Sequence, residues 1–287
     1  MTPARRLVPL VLLLLAAGCA TVPQNGTDLR PWGIAYRLNL VKSPRPNRIH
    51  VLKIDLAAGR VEPAVVVAPD PDGDGPAEAA LTHPFALAAG SPALAFVNTN
   101  PWGGLPGPSG KPDSNWREGQ PVVISGLALS NGVERSAADR DSVSIRFTPD
   151  RRVVIGDPTN APPSREGVGG FSSILRAGEI LPKPDQNLAP RTAIGTDKTG
   201  RRLWLVVVDG RQAGFSEGMS IEELGRLMKD LGCRDAVNMD GGGSSVMGLA
   251  GPDGALRLVN SPSDRFLGTI RIRPLPMILT LRPRQGK

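Results

Sequence analysis

The chain has 287 residues and a formal net charge of +7; 40% of its residues are apolar and only 4% aromatic. Its Lys and Arg residues are scattered, with no aromatics interleaved among them, which argues against a nucleic-acid partner and leaves a milder attraction to anionic glycans or phosphates. Glycine (34) and proline (29) together exceed the usual share of roughly 12%, so short strands and tight turns are expected, in an α+β (mixed α/β) class: a β-rich single domain with a twisted sheet and a few packing helices.

The first residues read as an export signal. Arg5 and Arg6 precede the apolar run LVPLVLLLLAAG, which is too short for a stable membrane span. Small residues lead into Cys19, as in a bacterial lipobox, although Ala16 displaces by one the leucine usual three places before the cysteine. The expected reading is a lipoprotein-type signal peptide over residues 1–18 with Cys19 as the lipidation site, with an ordinary cleaved signal or an uncleaved anchor as the alternatives. Ala20 after the cysteine resembles the outer-membrane sorting pattern, which gives an exported, membrane-anchored protein facing the periplasm. Residues 19–44 follow as a tether, 45–281 as the domain and 282–287 as a tail. With Cys19 lipidated, Cys233 is the one remaining thiol and reads as a buried small hydrophobe.

Strand-like runs come next: IHVLKIDL (49–56), VEPAVVVAP (61–69), ALAFVN (93–98), PVVISGLAL (121–129), SVSIRF (142–147) and RVVIG (152–156). Most are bounded by Gly, Pro, Asn or Asp. Between the second and third, PAEAALTHPFALAA carries a weak helical pattern that Pro84 should break. Just before it, Asp70, Asp72 and Asp74 match the opening of a calcium loop. The place of that loop's final acid is taken by Leu81, so a solvated acidic turn competes with a calcium site. TAIGT and RLWLVVVDG predict a hairpin around DKTG, with the second arm a buried central strand. SIEELGRLMKDLGC predicts a helix. Ser220 and Glu223 form a capping box, Ile221, Leu224, Leu227, Met228 and Leu231 recur at helical spacing, and Gly232 supplies the stop.

Several strand ends collect residue types that chemistry needs. DAVNMD places Asn238 near a strand end and Asp240 at it, where ligands tend to bind in α/β-type sheets. Gly241, Gly242 and Gly243 then permit positive φ and close backbone approach, as in an anion-binding nest, and Ser244 and Ser245 add hydroxyls. A tight turn is the plainer reading of the same residues. No Gly-Lys-Ser/Thr follows, so this is not a P-loop. Asp209, Gly210 and Arg211 end the apolar strand as a solvated turn or as a second charged site. Arg191 opens a strand as a surface charge or a clamp. Asn98, Asn100 and Trp102 close ALAFVN, with the indole placed to stack a sugar or to cap the core. The two histidines, His50 and His83, lack metal-ligand spacing, which argues against His-rich zinc hydrolases and against a Ser-His-Asp triad. Carboxylates, arginines, amides and glycines suit glycosyl or phosphoryl-ester chemistry.

NMDGGGSSVM (238–247) resembles the signature of the phosphodiester glycosidase family. GVGGFSSILRAGEI (167–180), RTAIGT (191–196), LVVVDGR (205–211), GMSIEELGRLMKDLGCRDAVNMDGGGSS (218–245) and VNSPSD (259–264) resemble further blocks of that family in the same order. Two blocks depart from it: Thr99, Asn100 and Pro101 follow Asn98 where the family has Gly-Gly-aromatic, and SDRFLGTIRIRP stands where a glycine- and arginine-rich turn is usual. The resemblance implies an exported hydrolase that cleaves a sugar-1-phosphodiester at the anomeric C–O bond of an envelope or exopolysaccharide phosphoglycoconjugate. It implies Asp240 and Asp209 as the carboxylates and Arg191, with the backbone of Gly241, Gly242 and Gly243, as the phosphate holder. Asn98, Asn100, Trp102, Arg211, Asn238, Ser244 and Ser245 would bind substrate. No cofactor is fixed by the motifs, and a divalent calcium ion is the candidate. The alternative, favoured by the altered Asn98–Trp102 block, is a noncatalytic phosphoglycan-binding envelope lipoprotein.

Overall fold

A computed structural model describes residues 28–107, 110–156, 161–182 and 186–284. The signal peptide and Cys19 lie outside the described residues. The largest sheet has seven strands, in the order Ile34–Val41, Asn47–Asp55, Arg202–Val208, Arg191–Thr196, Asp235–Asn238, Ser172–Arg176 and Glu179–Ile180. Every pairing in it is antiparallel. A five-stranded sheet, Leu256–Leu258, Met247–Ala250, Ala95–Asn98, Met277–Pro283 and Val61–Val67, faces it across the main core. A second five-stranded sheet is built on Val143–Phe147 and Glu166–Gly170 and adds Ile145, Phe147 and Val168 to the same core.

Period-two alternation sets which face each residue meets. Leu52, Ile54, Leu205, Val207, Ile194 and Val237 point into the main core, while Val51, Val206, Ala193 and Ala236 point to the opposite face. Helix α2 (Ile221–Asp230) covers that opposite face with Ile221, Leu224 and Met228. Two glycines set the spacing: a Cβ on Gly195 would lie 2.6 Å from the Met228 methyl, and one on Gly225 would lie 2.9 Å from the Ile174 carbonyl. The capping box forms as the sequence predicts. Ser220 Oγ accepts from Glu223 N–H at 3.2 Å, and Glu223 accepts from Ser220 N–H at 2.9 Å. Gly232 follows with φ +95°.

Several expectations need correcting. The described residues hold two α-helices, α1 (Pro84–Ala89) and α2, so the domain is mostly β and its mixed α/β character is slight. Pro84 begins α1 instead of breaking a longer helix, because the first turn of a helix needs no N–H there. PVVISGLAL splits into Pro121–Ile124 and Ala128–Ser130 around Gly126, which has φ +73°. The tether assigned to residues 19–44 contains the edge strand Ile34–Val41, paired residue for residue with Asn47–Ile54. The tail assigned to 282–287 begins inside a strand that runs to Pro283.

Candidate active site

Antiparallel neighbours bring four loops to one end of the large sheet. The end of Arg202–Val208, the start of Arg191–Thr196, the end of Asp235–Asn238 and the start of Ser172–Arg176 lie side by side. The rule for parallel α/β sheets therefore does not govern this site; strand alternation does. Backbone bonds tie the loops together. Gly242 N–H donates to Pro190 O at 2.9 Å, Asp240 N–H to Thr99 O at 2.9 Å, and Ala189 and Met219 exchange bonds of 3.3 and 3.1 Å.

Asp240 stands where these loops meet and is half-buried. The surrounding protein withdraws enough solvent to push its carboxyl up to about 6, although a Ser244 hydrogen bond, the Arg273 charge and the Gly241 N–H all pull it down. The three glycines are explained by what crowds them. A Cβ on Gly241 would lie 2.8 Å from the Pro190 carbonyl, and one on Gly242 (φ +61°) would lie 3.1 Å from the Arg211 guanidinium. At Gly243 a Cβ would collide with the Asp264 carboxylate and the Arg273 guanidinium. The proposed nest is thus largely engaged within the protein: Gly241 N–H holds the Asp240 carboxylate and Gly242 N–H holds Pro190.

One arginine acts on Asp240 and a second lies over the glycine turn that follows it. Arg273 donates from Nε and Nη2 to Asp264 Oδ2 at 2.9 and 2.8 Å, and from Nη1 to Ser244 Oγ at 3.3 Å. Arg211 adopts φ +59° and is exposed, with its guanidinium over Gly242. Among the described residues its side chain has no carboxylate partner. The loop carrying it is closed by Gln212 N–H to Ser216 O at 3.0 Å and Arg211 N–H to Glu217 O at 3.2 Å. Gly210 passes so close to the neighbouring loop that a Cβ would lie 2.5 Å from Pro190 N.

Several of the other expected site residues are buried. Asp209 is 1% exposed. Its Oδ1 accepts from Asn260 Nδ2 at 3.1 Å and Ser261 N–H at 2.8 Å, and its Oδ2 lies 3.3 Å from His50 Nε2. His50 Nδ1 in turn lies 2.8 Å from Tyr36 Oη, and burial pushes the Tyr36 hydroxyl up to about 12. Asn260 Nδ2 also donates to Ser245 O at 3.0 Å, so Asp209 is linked through Asn260 to the residue that follows the glycine turn. Arg191 donates from Nε to Met219 O at 2.9 Å and from Nη2 to Asn187 O at 2.7 Å, stitching two loops beside the site. Asn98 is buried; its Nδ2 donates to Asp240 O at 2.7 Å and its Oδ1 accepts from Thr192 Oγ1 at 2.8 Å and Val246 N–H at 3.1 Å. Asn100 is likewise buried, bonded to Ser125 O and Leu127 O and accepting from Gly169 N–H. Trp102 packs edge-on against Trp116 with centroids 5.7 Å apart, next to the main core. The two asparagine amides are thus engaged by protein groups, whereas Trp102 Nε1 has no hydrogen-bond partner among the described residues. Asn238 is buried with Oδ1 lacking a partner, Ser244 is bonded to Arg273, and Ser245 lies 3.3 Å from Thr192 Oγ1.

Arg273, Asp264, Asn260 and the His50–Tyr36 pair were not anticipated. VNSPSD carries Asn260 and Asp264, but nothing local singles them out. His50 alternates with Leu52 on the core-facing side of its strand, and that parity could have shown that it needs a buried partner.

In the acidic turn, Asp70 and Asp72 bond to the protein's own groups. Asp70 Oδ1 accepts from Asp72 N–H and Gly73 N–H at 3.2 and 3.0 Å, and its Oδ2 pairs with Arg135 at 3.2 Å. Asp72 accepts from Ala77 N–H at 3.2 Å. These carboxylates close their own turn, and among the described residues no three His, Cys, Asp or Glu side chains converge to hold a metal. Cys233 is buried against Gly195, and burial pushes its thiol well up, as befits an inert core residue.

A sequence model described as phosphodiester glycosidase matches residues 110–281, more than half of the chain. The catalytic domain of zebrafish N-acetylglucosamine-1-phosphodiester alpha-N-acetylglucosaminidase, auto-inhibited by its pro-peptide, superposes with a TM-score of 0.63 at 22% identity, covering 88% of this chain and 82% of that one. A hypothetical protein from Synechocystis superposes with a TM-score of 0.57 at 14% identity, covering 88% and 62%. At these identities the two structures share the fold. No curated protein sequence matches the chain.

Proposed function

The chain belongs to the phosphodiester glycosidase family and is a glycosidase hydrolase acting on phosphodiester-linked sugars; from that premise we propose that it cleaves the anomeric C–O bond of a sugar-1-phosphodiester, with Asp240 as the reacting carboxylate. The observation that carries this reading is Asp240 itself: partly exposed, raised to about 6, within reach of the Arg273 charge and two residues before Gly242, over which Arg211 lies. A carboxylate of that strength is ionised at neutral pH yet basic enough to attack the anomeric carbon or to activate water. The phosphate monoester leaves with little need for a proton, so cationic donors matter more than a second acid. Arg211, exposed and without a carboxylate partner among the described residues, takes the phosphate role that the family resemblance gave to Arg191. Asp209 positions the turn through Asn260 and Ser245. The substrate is an envelope or exopolysaccharide phosphoglycoconjugate, met outside the cytoplasm by a protein anchored through Cys19; the apolar run and small residues before that cysteine support this placement.

The test is hydrolysis of UDP-N-acetylglucosamine, or a simple diester of N-acetylglucosamine 1-phosphate, in ¹⁸O-labelled water. Anomeric C–O cleavage puts the label in free sugar and leaves an unlabelled phosphate monoester. Label in phosphate would overturn the bond assignment. Asp240→Asn should lower kcat/KM by about a hundred- to ten-thousand-fold, and unchanged turnover would remove Asp240 from the chemistry. Arg211→Ala should lose turnover more severely than Arg191→Ala, and the reverse order would return the phosphate to Arg191.

A further inference from the structure

Exposed apolar side chains crowd the end of the molecule that holds Asp240. Nine large apolar residues are exposed among the described residues, and seven of them lie on segments that reach this end of the large sheet or follow the glycine turn. Phe171 precedes the strand Ser172–Arg176, Leu188 precedes Arg191–Thr196, and Phe215 sits in the loop after Arg202–Val208. Leu40 pairs with Arg48 at the same end of the sheet, and Arg48 lies 4.7 Å over the Phe215 ring. The remaining three, Phe266, Leu267 and Ile270, form a two-stranded hairpin that rises between Asp264 and Arg273, the ion pair over Gly243.

That hairpin is built against its own folding preference. Phe266 pairs with Thr269, so Leu267 and Gly268 form the two-residue turn, with φ +48° and +80°. Such a turn favours asparagine or aspartate before glycine, and a leucine with positive φ is disfavoured. Leu267 is also 90% exposed and Phe266 66% exposed. Neither turn geometry nor core packing accounts for these two residues.

Charge accompanies the apolar rim. Lys42, Arg211, Arg265 and Arg271 are all exposed at this end, and none has a carboxylate partner among the described residues. Large apolar side chains interspersed with unpaired cations match the chemistry of a bilayer surface bearing anionic headgroups.

We propose that this end of the domain docks on an anionic phospholipid bilayer, with the Leu267 hairpin inserted at the headgroup level and the Asp240 site opening onto the lipid surface. The docking stands apart from the bond that the enzyme cleaves. It is also separable from any binding through residues 1–27, because Asp28 and the strand start at Ile34 lie at the opposite end of the sheet, where Ile34 pairs with Ile54.

Hydrogen exchange on the full chain tests this, with phosphatidylglycerol vesicles, phosphatidylcholine vesicles and no lipid. On phosphatidylglycerol, amides in 264–271 and 211–217 should slow by about tenfold or more, as burial of one Phe and one Leu implies. Val133, exposed at the turn that joins the paired strands Ala128–Ser130 and Val133–Ser136, should not change. Leu267→Asn with Phe266→Ser retains a favoured turn and should abolish the slowing. Protection confined to residues 1–34 and the adjoining 54–59 would overturn the proposal. So would equal slowing on the zwitterionic vesicles, or slowing that grows with protein concentration in the absence of lipid, which would mark self-association.

Discussion

At Asp240 function and stability pull against each other. A carboxyl whose folded value is about 6 lies above its unfolded value, so folding favours its neutral form. Stability from this group is fully present below about pH 4 and is lost as pH rises toward 6. Asp240→Asn removes the penalty, and we expect it to stabilise the fold at pH 7–8 by ~1–2 kcal/mol, after allowance for partial solvent screening, with no gain near pH 3.5. Thermal melts of the two proteins across pH check this, and an equal difference at both ends would contradict it. In wild type, kcat/KM should fall with unit slope below about pH 6 as the carboxyl takes up its proton, whereas a fall above pH 6 would make Asp240 the acid. The residue was legible in sequence because it precedes three glycines at a strand end. Its surroundings were not: Arg273 is 33 positions further along the chain, and only the folded turn brings its charge to bear. Asp209 was legible as important but not as buried, since its partners His50 and Asn260 come from separate strands and loops.

At the scale of the element, the glycine turn shows how local pattern and tertiary contact divide the work. Helix α2 was readable from its own residues, because a capping box and helical spacing act within one segment. The edge strand Ile34–Val41 was missed because YRLNLV mixes charge and apolar residues at the sheet margin, where only one neighbour must be satisfied. Why the turn needs three glycines was legible only in outline. Gly242 has φ +61°, but Gly241 has φ −126° and is glycine for lack of room against Pro190. At Gly243 the same argument gives a test. Gly243→Ala must displace the Asp264–Arg273 pair, a shift of side chains with a cost of roughly 1–3 kcal/mol. Activity should drop far more than stability, because Arg273 leaves both Ser244 and the neighbourhood of Asp240. A variant that melts early but retains full kcat/KM once folded would show that the pair serves only the fold.

At the scale of the whole molecule, the site has no module of its own. Its parts come from Asn98, Arg191, Asp209–Arg211, Asp240–Ser245, Asn260–Asp264 and Arg273, and they meet because two sheets close on one core. The last strand, Met277–Pro283, carries none of these residues, yet it lies between Ala95–Asn98 and Val61–Val67 and hydrogen-bonds to both. Met277, Ile278, Leu279 and Leu281 on it are each no more than 1% exposed. At ~1.5–3 kcal/mol for each such side chain, their burial contributes ~6–12 kcal/mol, comparable with the ~5–15 kcal/mol by which a domain is stable at all. Ending the chain at residue 275 should therefore abolish cooperative unfolding and activity together, although every residue assigned to the chemistry remains. Calorimetry of the truncated chain decides it: a sharp transition with retained hydrolysis would mean that the large sheet and α2 hold the site without the facing sheet. Ala95–Asn98 would then lie at an open edge, and Asn98 could not keep its hold on Asp240 O, Thr192 and Val246 at once.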